Sequence, residues 1–90
     1  MQSNYRQDDQ EVLITFQDGD GVLVYRDHER QVRWEAVILA SGSYFVLRKH
    51  GGWNDTDLSV IHSAIVKLAR KLQPDLSVET VHVAYLPAVN

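Results

Sequence analysis

The chain contains no cysteine and only two prolines among its 90 residues. The missing thiols exclude disulfides, thiolate nucleophiles and cysteine-ligated zinc together. That composition fits a reducing compartment, and a cytoplasmic protein is expected. No apolar run approaches the roughly 18 residues that a membrane-spanning helix needs, so no membrane partner is expected. The first ten residues, MQSNYRQDDQ, lack the apolar stretch of a signal peptide and read as a flexible polar tail, residues 1–10. No internal repeat or low-complexity block breaks up the remainder, so residues 11–90 are read as one domain. The double glycine in KHGGWND lacks the lysine and serine pattern of a phosphate-binding loop.

Hydrophobic residues make up 44% of the chain, enough for a packed core. The formal net charge of −3 is unevenly spread. Residues 1–31 hold seven acids and three bases, whereas residues 32–73 hold six bases and three acids. The acidic total argues against non-specific nucleic-acid binding but leaves room for a local basic patch.

Period-two alternation marks the strands. In EVLITFQ, Val12, Ile14 and Phe16 share one side, and Leu13, Thr15 and Gln17 the other. Val22 to Arg26 forms a second short run. Between them, Asp18-Gly19-Asp20-Gly21 could suggest a calcium loop. Val22 stands where a further oxygen ligand would be needed, however, and no helices flank the loop. Two glycines supply the positive φ of a tight hairpin, with Phe16 expected opposite Leu23 and Ile14 opposite Tyr25. A second hairpin is expected in VRWEAVILASGSYFVLRKH, turning at Ser41-Gly42. It would pair Ile38 with Phe45, Ala36 with Leu47 and Glu35 with Arg48, the last as a cross-strand ion pair.

Asn54, Asp55, Thr56 and Asp57 offer helix N-caps. Leu58, Ile61, Ile65, Leu68 and Leu72 follow at three- and four-residue steps, with Ala64 beside them, as one apolar stripe. Lys67, Arg70 and Lys71 suit a helix C-terminus, and Pro74 ends it. Val78 to Leu86 alternates as a last strand. The expected fold is α+β, ordered β-β-β-β-α-β. It is a mainly antiparallel five-stranded sheet with one amphipathic helix packed on one face. The last strand could join that sheet in either direction.

One helix cannot cover both faces of such a sheet. The covered face should carry Ile14, Phe16, Leu23, Tyr25, Trp34, Ala36, Ile38, Phe45, Leu47, Val81 and Val83. The other face keeps Leu13, Val24, Val37, Leu39, Tyr44 and Val46, edged by Arg26, Arg33, Glu35, Arg48 and His82. A clustered apolar face marks a contact surface unless the sheet curls to hide it. The expected protein-binding residues are therefore Val24, Arg33, Val37, Leu39, Tyr44, Val46 and Arg48, together with Trp53, a loop tryptophan of the kind found at binding hot spots.

The expected function is a non-enzymatic protein-binding module of inhibitor, immunity or adaptor type, microbial or phage-encoded. It would bind a protein partner or associate with itself. One alternative is nucleic-acid binding, with Tyr44 stacking on bases and Arg26, Arg33 and Arg48 on phosphates. Another is a small oligomeric enzyme using His62 or His82. His28, His50, His62 and His82 lack metal-ligand spacing. No catalytic residue, cofactor, metal or small-molecule ligand is expected.

Overall fold

The computed structural model describes residues 1–87. The domain expected over 11–90 therefore has its last three residues outside the described ones. In chain order the elements are β1 (Gln2–Gln7), β2 (Gln10–Gln17), β3 (Asp20–Asp27), β4 (Val32–Ser41), β5 (Tyr44–Arg48), α1 (Asp55–Leu72), a 3-10 turn (Val78–Thr80) and β6 (His82–Leu86). The six strands form one sheet in sequence order. β1 to β5 are an antiparallel meander, and β6 joins β5 in parallel. The chain is thus an α+β domain with one helix and a mostly antiparallel sheet of six strands rather than five.

The additional strand is β1, which replaces the expected flexible tail. Its polar composition concealed the alternation. Ser3 and Tyr5 face the core, opposite Ile14 and Val12, while Asn4 and Arg6 are exposed. The helix also secures this edge. The Lys67 ammonium donates to the Asn4 carbonyl, and that of Lys71 to the Gln2 carbonyl at 3.2 Å. Unpaired edge carbonyls invite another strand, and lysine is a common means of blunting them.

Both expected hairpins form with their pairings shifted by two residues. Asp18-Gly19 is the first turn, with φ of 53° and 90°, the paired positive values of a type I′ turn. Ile14 therefore lies opposite Leu23, and Gln17 opposite Asp20. The second turn is Gly42-Ser43, which pairs Ile38 with Leu47 and Ala40 with Phe45. A shift of two keeps every side chain on its face, so the face assignments hold. The Glu35–Arg48 ion pair does not form. Glu35 accepts from Arg33 at 2.7 Å, and Arg48 donates to the Pro87 carbonyl at 2.9 Å.

At the helix start, Asn54 Oδ1 accepts from the Asp57 N–H at 2.8 Å, and Asp57 Oδ2 accepts from the Asn54 N–H at 3.0 Å. This capping box satisfies two otherwise orphan donors. The buried stripe is rotated from the expected one. Val60, Ile61, Ala64, Ile65, Leu68 and Ala69 are buried, Leu58 is half-buried and Leu72 is exposed. The helix approaches β1 and β2 most closely. The connections on either side of it add Trp53, Leu76 and Val81 to the core. The expected strand from Val78 begins only at His82, after the 3-10 turn.

Deleting residues 1–7 tests whether β1 is structural. It removes Tyr5 from the core and opens the backbone of β2. The urea midpoint should fall by an amount worth about 3 kcal/mol or more. An unchanged midpoint would mean that these residues are a tail.

Candidate interaction surface

The pleat sends alternate residues of each strand away from the helix. Read across the sheet, these outward residues form rows. Arg6, Glu11, Arg26 and Arg33 make one row from β1 to β4, and Asn4, Leu13, Val24 and Glu35 the next. Gln2, Thr15, Val22 and Val37 follow. Gln17, Asp20, Leu39, Val46 and Ala84 lie beyond them, and then Ser41, Tyr44 and His82. The result is an apolar band bordered at one end by charge.

The sheet does not curl to hide this band. Val37 is 62% exposed, Tyr44 60% and Leu39 51%, and Leu13, Val22 and Leu86 are exposed as well. Val24 and Val46 are half-buried between neighbouring strands. Arg33 and Arg48 are exposed on the same face. Trp53 departs from expectation: it is only 3% exposed and belongs to the core. The helix sits over β1 and β2, and Trp53 folds in beside it as part of the cover, so it presents no surface to a partner. Val22 and Leu86 were not among the expected surface residues. Their signal was available, since each continues an alternation already read, Val22 with Val24 and Leu86 with His82 and Ala84.

The charged row, three arginines and Glu11, is only partly paired. Glu11 Oε1 lies 2.9 Å from His28 Nε2 and 3.9 Å from the Arg26 guanidinium. Arg33 is held by Glu35 at 2.7 Å. At the other end, the Tyr44 ring stacks on His82 with centroids 4.8 Å apart. Arg33 and Ser41, the partner of Tyr44, are eight residues apart on β4, about 27 Å at strand rise. The arginines Arg26 and Arg33 and the aromatic pair are therefore far apart. His62 lies exposed on the helix and His82 on the far side of the sheet, and the two do not meet. Among the described residues no three His, Asp or Glu side chains gather as a metal-ion group.

Beneath the helix start lies a polar node that the sequence reading missed. Asp57 is wholly buried. Its Oδ1 accepts from Tyr25 Oη at 2.6 Å, Arg30 Nη2 at 2.5 Å and Gln10 Nε2 at 3.3 Å. Arg30 also donates through Nε to Asp27 at 2.8 Å, and Asp27 Oδ1 receives the Glu29 and Arg30 backbone N–H groups. The Arg30 guanidinium lies 5.5 Å from the Trp34 ring centroid. Trp34 in turn stacks on Tyr25 and His50. A side chain at Gly52 would put its Cβ 2.7 Å from the Trp34 ring, so this close approach requires glycine.

Burial pushes the Asp57 carboxyl upward, but hydrogen bonds from Arg30, Tyr25 and the Asn54 backbone prevail and hold it below the ordinary carboxylate value. Asp27 is likewise lowered, since the hydrogen bonds and charge of Arg30 outweigh its burial. Tyr25 is raised by burial and by its hydrogen bond to Asp57. Burial alone pushes Tyr85 up to about 12. Every Asp57 oxygen is thus occupied by protein donors, and the node holds the sheet, the β3–β4 loop and the helix start together.

Comparison of the chain with protein-family models, characterised proteins and solved structures finds no match.

Asp57→Ala should cost about 3 kcal/mol. That is the low end for breaking a buried pair, because the Arg30 side chain is 37% exposed. Both carboxyls are lowered in the folded state, so their stabilisation is complete above the unfolded value near ~4 and is lost as pH falls through the folded values. Urea unfolding of wild type should therefore weaken progressively below about pH 4, and Asp57→Ala should flatten that dependence. An equal acid slope in both proteins would contradict the role given to Asp57.

Proposed function

We propose that the chain is a non-enzymatic protein–protein interaction module whose working surface is the open face of the sheet. One observation carries this reading: Leu13, Val22, Val37, Leu39 and Tyr44 stand exposed together on one face of a sheet whose other face is already packed. Contiguous apolar surface of this kind marks contact sites in soluble proteins. A preformed sheet presenting such side chains suits an inhibitor, immunity protein or adaptor, which acts by occupying another surface. Val24, Arg33, Val37, Leu39, Tyr44, Val46 and Arg48 are its proposed contact residues, without Trp53.

The nucleic-acid reading has less support. Arg26 and Arg33 already have acidic neighbours and lie far from the Tyr44–His82 stack, and Arg48, four residues from Tyr44 on β5, is turned to the Pro87 carbonyl. Single-strand binders instead interleave aromatic platforms with cations along one groove. A catalytic role for His62 or His82 is also poorly served, since both rings are exposed and neither is hydrogen-bonded to an orienting side chain among the described residues.

In-cell photocrosslinking tests the proposal. A photoreactive phenylalanine analogue replacing Val37 should yield protein adducts, and the same analogue replacing His62 should not. Adducts from both positions, or from neither, would contradict it. Adducts to RNA or DNA, with salt-sensitive binding by the purified chain, would favour the nucleic-acid alternative.

A further inference from the structure

We infer that the occupant of the open face is a second copy of this chain, docked face to face about a two-fold axis that crosses β3 at Leu23. This rests on the binding-face reading above and specifies the partner.

Charge on the open face is placed to meet its opposite across a two-fold axis. A two-fold axis lying between two facing sheets, perpendicular to their strands, reverses the strand direction. A residue then meets the one equally far beyond the axis. The outward residues of β3 are Asp20, Val22, Val24 and Arg26, centred on Leu23. The axis places Asp20 against Arg26 of the second copy and Val22 against Val24 of the second copy, each contact occurring twice. Asp20 takes no part in the ion pairs found among the described residues, and Arg26 has only the 3.9 Å approach to Glu11. On β4 the same axis crosses at Ala36 and lays the aliphatic stem of Arg33 over Leu39 and that of Glu35 over Val37, while Arg33 and Glu35 keep their own ion pair.

The face is also large enough for a stable pair. The six strands hold 42 residues, which at ~4.8 Å spacing and ~3.4 Å rise offer roughly 690 Å² in plan, within the ~600–1,000 Å² per partner of a standard interface. Stacked sheets pack ~10 Å apart with strands within about 30° of alignment. Registration is therefore best near the axis, where the valines and the Asp20–Arg26 pairs lie, and loosens towards the corners.

The test is light scattering with size-exclusion chromatography on the purified full chain at micromolar concentration. Wild type should run at twice the chain mass. Val22→Lys, at an exposed position set against Val24 of the second copy, should run at the chain mass with an unchanged far-ultraviolet spectrum. Asp20→Arg and Arg26→Asp should each weaken dimerisation about tenfold or more, and the double variant should recover it. A dimer indifferent to the charge reversals would overturn this docking. A monomeric wild type that still gives protein adducts from position 37 in cells would overturn self-association and leave the binding-face reading intact. A monomer with no adducts would remove both.

Discussion

A helix about 10–12 Å across cannot shield both faces of a sheet about 29 Å wide. That mismatch shapes the whole molecule. The 18-residue α1 lies nearest β1 and β2, and the connecting segments supply Trp53, Leu76 and Val81 to complete the cover. Nothing in the described chain covers the other face. Its valines and leucines are as apolar as much of the core, yet they meet solvent. Exposure of single apolar residues is ordinary. What calls for a cause is their adjacency across four successive strands, beside a charged row that is only partly paired.

The polar node anchors the asymmetric cover. A helix held only by its apolar stripe could slide or rotate on a flat sheet. Asp57 removes that freedom by joining the capping box to Tyr25 on β3 and Arg30 in the β3–β4 loop. The helix C-terminal half is tied separately, through Lys67 and Lys71 to the carbonyls of β1. Both ends of α1 are thus registered against the sheet by directional bonds. The open face is left as a surface that carries no part of this fastening.

Most of the architecture was legible from alternation and capping. Each residue assigned to the covered face, from Ile14 to Val83, lies there. The strand pairings did not follow from alternation, because a shift of two preserves both faces; the positive φ of Asp18 and Gly19 decides the first of them. β1 was hidden because an edge strand needs few hydrophobes, and Ser3 and Tyr5 are the only inward residues with neighbours to show for it. Trp53 was misassigned because its burial depends on where the helix sits, which local sequence does not reveal. The node was half visible. Asp57 at the third helical position announces a capping box, but its bond to Arg30, 27 residues away, belongs to the tertiary fold. The open apolar face was the most readable feature, since it follows from parity and helix count alone.

A methyl-resolved magnetic resonance dilution series locates the contact surface on the intact chain. If the open face is a self-associating surface, the methyl signals of Val22, Val37 and Leu39 shift with concentration, while those of Ile61, Ile65 and Leu68 under the helix stay fixed. Methyls of the open face that do not move at any concentration, or shifts centred on α1, would contradict the account.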